Sequence, residues 1–272
     1  MSDTRKKKNF EYLYGPVSSW RLGSSLGIDL ISRNEKICSF DCTYCQLGKT
    51  RIKTKERQIY VPKEMIIEEI KTLPPDFAID YITFSGRGEP TLAANLGQVT
   101  KQIKALRKEK IAVITNSSLM WDKSVRDELS LSDFVMAKLD AFDQESFKKI
   151  NRPVEGIEFK EVYEGIKSFK AEYNTRLAIQ MMFFEINKNE FKRLAELAFK
   201  IEPDEIQINT PLRPCDERPL SQKEIAHIRE YFEELKGRVD STAKIISVYD
   251  AEHKKVKAIS DEDTLRRRGK IE

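Results

Sequence analysis

Seven short apolar segments alternate with charged stretches of helical periodicity along these 272 residues, and that rhythm restricts the fold more than any other feature. The strand-like segments are GIDLI (27–31), DYITFS (80–85), IAVIT (111–115), DFVMAKLD (133–140), TRLAIQMMFF (175–184), EIQIN (205–209) and AKIISVY (243–249). Helical patterns occupy 63–73, 96–109, 123–130, 157–173, 188–201 and 221–237. Strands that are almost wholly apolar need cover on both faces, which a parallel sheet with helices packed outside provides. Six or seven βα units fit an α/β fold of the complete or partial barrel type, with a doubly wound sheet as the alternative. No linker or low-complexity stretch interrupts the order, so a single domain over 1–272 is expected.

Composition narrows the setting. Hydrophobic residues make up 40% of the chain, and no apolar run approaches the roughly 18 residues that a membrane span needs. The basic N-terminus lacks the apolar core of a secretory signal. A cytoplasmic location and no membrane partner are expected, and there clustered thiols point to metal before disulfide. The net charge of +4 is too mild to imply nucleic acid by itself.

Three of the four cysteines fall within eight positions, in ICSFDCTYCQLG (37–48), as C-x3-C-x2-C: Cys38, Cys42 and Cys45. The loop follows the first strand-like segment, so it lies at the C-terminal mouth of the sheet, where α/β folds collect their chemistry. A structural zinc site needs four ligands. Cys215, His227 and His253 are remote, and neither histidine has a partner at ligand spacing. Three unrelated buried cysteines would not have such polar, loop-like flanks. An iron–sulfur cluster is the third reading. A [4Fe–4S] cube takes one thiolate per iron, so three thiolates leave one iron free to bind a substrate or cofactor.

With Phe40 in the first gap and Tyr44 before the last cysteine, this loop resembles that of the radical S-adenosylmethionine enzymes. TFSGRGEPTL (83–92), after the next strong strand, resembles the family's glycine–glutamate segment. YGPVSSWRLGSSLGIDLI (14–31), CQLGKT (45–50), KLDAFDQESFKKINRP (138–153) and EIQINTPLRP (205–214) resemble the subgroup containing archaeal-type wyosine-synthesis enzymes. The resemblance covers a core of about 14–214, with 215–272 as an extension.

It implies a partial (β/α)6 TIM-like barrel, a [4Fe–4S] cluster and S-adenosylmethionine. It also implies reductive cleavage of that cofactor to a 5′-deoxyadenosyl radical that abstracts hydrogen from the substrate. A one-electron donor of flavodoxin or ferredoxin type is the implied partner. Cys38, Cys42 and Cys45 would ligate the cluster, and Tyr44 would approach the adenine through its backbone. Gly86, Gly88 and Glu89 would hold the methionine end, with close backbone approach at the glycines and a charge-assisted bond from the cofactor's ammonium to the carboxylate. Ser85 would line the same mouth. Thr115, Asn116 and Ser117 would reach the ribose or carboxylate, although polar residues at a strand end also suit plain capping.

Weaker candidates come from the residues themselves. Lys138 and Asp140 are charges in an apolar strand, where a structural ion pair competes with cofactor contact. Gln180 should point into the barrel or its wall, and Asn209 ends a strand. Arg213 suits an anion or the surface, and Met181 and Met182 are core filler. For the substrate, a tRNA base is one reading. KTRIKTKER (49–57) puts Lys49, Arg51, Lys53, Lys55 and Arg57 on one side of an extended segment, and RKKK (5–8) and RRR (266–268) add to it. Against it, the wyosine enzymes carry further cysteines before the radical loop, and this chain has none. A small metabolite, peptide or protein substrate is the second reading. A non-enzymatic iron–sulfur carrier or sensor is the third.

Overall fold

The structure is a computed structural model that describes residues 10–74, 77–250, 256, 258, 264, 265 and 267. The chain begins with a hairpin, β1 (Leu13–Ser19) antiparallel to β2 (Gly23–Ile28), and continues into a small parallel pair, β3 (Ile37–Cys38) and β4 (Ile52–Lys53). Then βα units follow: α1 (Lys63–Lys71), β5 (Tyr81–Phe84), α2 (Leu96–Leu106), β6 (Lys110–Thr115), α3 (Lys123–Leu129), β7 (Phe134–Lys138), α4 (Gln144–Ile150), α5 (Phe159–Glu172), β8 (Arg176–Met182), α6 (Phe191–Phe199), β9 (Glu205–Asn209), α7 (Gln222–Arg238) and β10 (Lys244–Ser247).

One sheet of eight strands has the order β1-β2-β5-β6-β7-β8-β9-β10 and is parallel from β2 onward. It curls into a half-barrel whose edges, among the described residues, are β1 and β10. This is the expected partial barrel. Its strands are short and apolar because helices cover the outer face: Ile82, Phe84, Val113, Val135, Leu177, Ile179, Ile206 and Ile208 are fully buried. Each such side chain contributes roughly 1.5–3 kcal/mol on burial.

Several boundaries differ from the sequence pattern. The first parallel strand ends at Ile28 rather than Ile31, because the Asp29 carboxylate turns back to accept from the backbone N–H groups of Ile31 (3.2 Å) and Ser32 (3.0 Å). β1 is an addition: Gly15 and Pro16 mask it, and both are tolerated because it is an edge strand with a bulge between Tyr14 and Val17. Helix α4 is also an addition, seven residues long and held by a capping box between Asp143 and Ser146. No helix among the described residues is long and apolar enough to cross a membrane.

Candidate functional site

The cysteine loop lies on the C-terminal ends of β5 and β7. The Glu89 N–H donates to the Ile37 carbonyl (3.3 Å), and the Ile37 N–H to Arg87 (3.2 Å). From the other side the loop is gripped by the turn after α4: Asp41 N–H donates to Asn151 O (3.0 Å), Thr43 N–H to Ile150 O (3.0 Å) and Val154 N–H to Ser39 O (2.8 Å). A Cβ on Gly88 would stand 1.7 Å from the Ile37 carbonyl oxygen, and one on Gly86 (φ +149°) would stand 2.4 Å from Asp29 Cγ. The close approach that these glycines permit is, in this structure, that of the protein's own loop and Asp29.

A cavity of about 750 Å³ opens inside the half-barrel, lined by all three clustered cysteines. Of the other expected site residues, Tyr44, Ser85, Gly86, Gly88, Glu89, Thr115, Asn116, Lys138, Gln180 and Asn209 also line it. Ser117 and Asp140 do not. Ser117 is fully buried and donates to the Lys138 carbonyl (3.1 Å), so it supports a neighbouring strand end.

Glu89 is buried and organises this wall. Its Oε1 accepts from Thr91 N–H (3.1 Å), Thr91 Oγ1 (2.7 Å) and Thr115 Oγ1 (2.6 Å), and its Oε2 accepts from Asn116 N–H (2.6 Å). Burial pushes its pKa up against these hydrogen bonds. Oε2, with one bond of this set, keeps acceptor capacity. The Asn116 side chain is turned away from Glu89, donating to Ser39 Oγ (2.9 Å) and Cys38 Sγ (3.5 Å).

Asp140 holds a second network. It accepts from the Tyr44 hydroxyl, from Asn151 Nδ2 (3.2 Å) and from Met182 N–H (2.8 Å), and it pairs with Lys138 Nζ at 3.3 Å. Lys138 also stands 4.9 Å from the centre of the Tyr44 ring. Lys138, which ends β7, and Asp140, two residues further on, are therefore an internal ion pair, and Asp140 positions Tyr44. Replacing the carboxylate by the amide in Asp140→Asn is expected to cost about 1–3 kcal/mol, by weakening the bonds to a charged group. An unchanged urea midpoint would show that this charge is not used.

The thiols feel their burial. It raises the Cys38 pKa to about 12, with the Glu89 charge adding, and the Cys42 pKa to about 11, with the Asp140 charge adding. Lys36, which sequence reading passed over, is itself buried, donates to the Gly48 carbonyl (2.8 Å) and stands near all three cysteines. Burial pulls its pKa down, and the cysteine charges outweigh that to raise it. Nothing in the local sequence marks this lysine among its charged neighbours. The folded-state thiol pKa values lie above the ordinary 9.0. In the metal-free protein these two thiols contribute stability that is fully present below pH 9.0 and is lost as pH rises through the folded values. Metal uptake, which expels the thiol protons, strengthens with pH. Melting temperature should fall as pH rises from 9 to 11 while iron uptake rises over the same span, and parallel trends would contradict the argument.

Other expectations are corrected. The basic segment does not present five charges on one side: Arg57 turns in, donating to Thr91 O (2.8 Å) and Ala93 O (3.2 Å) and pairing with Glu128. Lys53 and Lys55 reach the carbonyls of Arg152 and Gly156 (both 3.3 Å). Lys49 and Arg51 are exposed. RKKK (5–8), His253, Arg266 and Arg268 lie outside the described residues. His227 is exposed and meets the Phe191 ring edge-on. Met181 is core, whereas Met182 lines the cavity, and Arg213 lines it too, donating to Gln46 Oε1 (3.0 Å).

The radical SAM superfamily model matches residues 36–198, which span the cysteine loop and the ends of β5, β6, β7 and β8. The chain belongs to the radical SAM superfamily. It is 42% identical over 215 residues to a UPF0026 protein of Synechocystis sp., with 79% of each chain covered. It is 36% identical over 236 residues to a UPF0026 protein of Methanocaldococcus jannaschii, covering 83% of this chain and 72% of that one. SuiB of Streptococcus suis, crystallised with S-adenosylmethionine, has the same fold, with a TM-score of 0.62 at 15% identity over 79% of this chain and 48% of SuiB.

Radical SAM proteins are enzymes that bind a [4Fe–4S] cluster and S-adenosylmethionine and need a reductant. Membership sets aside the non-enzymatic carrier. The residues present fit both cofactors: three thiols and a buried ammonium share one cavity wall, and a carboxylate with acceptor capacity stands beside them. Among the described residues no three His, Cys, Asp or Glu side chains converge as ligands of a single ion. A cluster in which each thiolate binds its own iron does not require that convergence.

Proposed function

We propose that this radical SAM enzyme holds its cluster on Cys38, Cys42 and Cys45 and acts on a small-molecule substrate that shares the barrel cavity with S-adenosylmethionine. The observation that carries the reading is that one cavity collects the three cysteines and ten further residues drawn from the ends of β5, β6, β7, β8 and β9 and from the cysteine loop. When bound, the cluster and cofactor supply one-electron cleavage and hydrogen abstraction. Glu89 Oε2 would accept from the cofactor's ammonium, and Gly86 and Gly88 would act at its methionine end through their backbone, since the space beside each Cα is taken by Asp29 and by the Ile37 carbonyl. Tyr44 offers its backbone to the adenine, since its hydroxyl is committed to Asp140. Ser85, Thr115, Asn116, Gln180 and Asn209 contribute polar walls, while Ser117 and Asp140 act by positioning. A flavodoxin or ferredoxin donates the electron, in the cytoplasm, to a chain that works as one domain.

A tRNA base is the second reading, favoured by the exposed Lys49 and Arg51 and by the resemblance to the wyosine subgroup. The inward turn of Arg57 favours the small molecule.

The test is anaerobic. Protein reconstituted with iron and sulfide, reduced and given S-adenosylmethionine should release methionine and 5′-deoxyadenosine. A stable cluster without cleavage would overturn the reading. Tight binding of bulk tRNA that weakens steeply with salt would exchange the first substrate for the second.

A further inference from the structure

Away from the cysteines, the turn joining β1 to β2 brings Arg21 to the cavity, beside Ser18 at the end of β1. Arg21 Nε and Ser18 Oγ are both buried and have no hydrogen-bond partner among the described residues. The guanidinium stands 5.2 Å from the centre of the Trp20 ring, which limits where it can point. Glu205 is the acid whose charge reaches it. That carboxylate is already paired with Arg176 (2.6 Å) and accepts from Gln207 Nε2 (2.7 Å). A second guanidinium approaches instead: Arg213, which follows β9, lines the same space. Burial and the like charge of Arg213 pull the Arg21 pKa down to about 10, which still leaves it cationic at neutral pH.

A protein gains nothing in stability by drawing a second guanidinium toward one whose buried Nε–H is unmet. An anion reverses the balance, because a guanidinium fork matches the oxygens of a phosphate or carboxylate and a hydroxyl adds a third donor. We propose that Arg21 and Ser18, with Arg213 completing the charge, form the subsite for an anionic group, phosphate or carboxylate, of the substrate. The inference rests on the proposed function in one respect: it takes the cavity as shared by substrate and S-adenosylmethionine.

The experiment titrates inorganic phosphate and, separately, acetate into the reconstituted protein holding S-adenosylmethionine, with glycerol as the neutral control. Affinity is read by calorimetry. One anion should bind and glycerol should not, and Arg21→Gln should weaken that anion at least about tenfold, as expected for a charge-assisted bond. Arg21→Lys, which keeps the charge but loses the fork, should recover part of the affinity. Phosphate binding tighter than acetate assigns a phosphorylated substrate, and the reverse order a carboxylate. If Arg21→Gln does not fold, Ser18→Ala, which removes a single hydroxyl, carries the same comparison.

No anion binding to the wild type, or equal binding by the variant, would overturn the subsite. Weakened S-adenosylmethionine binding in Arg21→Gln would also overturn it, by assigning the guanidinium to the cofactor. The two readings fail separately. Anion binding through Arg21 in a protein that never cleaves S-adenosylmethionine would leave the subsite standing and remove the function, and cleavage without anion binding would do the opposite.

Discussion

Cys42→Ala should yield a folded protein that takes up no intact cluster and releases no 5′-deoxyadenosine. Cys42 is partly buried against Tyr44, Ile150 and Phe184, and its bond from Asn151 Nδ2 is long, at 3.5 Å. Removing the thiol costs the fold about 1 kcal/mol. The cofactor would have no such margin: on the proposed ligand set of three thiolates, losing one leaves two irons of a cube without a protein ligand. Cys215→Ala supplies the contrast. Cys215 packs near Tyr44, Ile150 and Phe184, and its thiol donates to the Glu217 carbonyl at 3.3 Å. That variant should keep both iron and product. Iron and sulfide per chain decide the matter: retention of the cluster by Cys42→Ala together with loss in Cys215→Ala would make Cys215 the ligand.

Gly88→Ala should do almost as much damage by a different route. The new Cβ would collide with a backbone oxygen, that of Ile37, at 1.7 Å, and no side-chain rotation relieves it. Either the end of β5 or the start of the cysteine loop must retreat, and the loop's next residue is Cys38. The expected loss is on the order of 3 kcal/mol from overpacking, together with a fall in iron uptake, because a displaced Cys38 no longer faces the cavity with its partners. Denaturant midpoint and iron content are measured on the same sample. Wild-type values for both would mean that the loop is not seated by this contact.

The sequence showed most of the sheet because apolar runs of the right length can hardly be anything but covered strands. It hid β1, where Gly15 and Pro16 break the pattern, and it overran Ile28, since only the fold reveals Asp29 turning back on the chain. The cysteine loop stood out by its spacing, and the glycine–glutamate segment by its resemblance to the family's; both line the same cavity. Residue types alone leave groups that face the cavity and groups that hold those in place undistinguished: Asp140 reads equally as an ion pair and as a cofactor contact, and in the fold it pairs with Lys138 and accepts from Tyr44, while Ser117 donates to the Lys138 carbonyl. Arg57 looked like part of a basic face for the same reason, as its partner Glu128 lies on another element. Lys36 and Arg21 gave no signal, since a lysine in a loop and an arginine in a turn usually meet water.

Lys36 has one more consequence. Its ammonium is anchored by the Gly48 carbonyl and cannot drift from the three cysteines. A fixed positive charge offsets part of the negative charge that thiolates and sulfides bring to a cluster, and local charge is one of the levers that set a cluster's reduction potential. A cluster seated here would accept its electron at a higher potential than the same cluster beside a neutral residue. The chain would thus widen the range of donors able to drive it, with a lysine that lines the cavity beside the three cysteines.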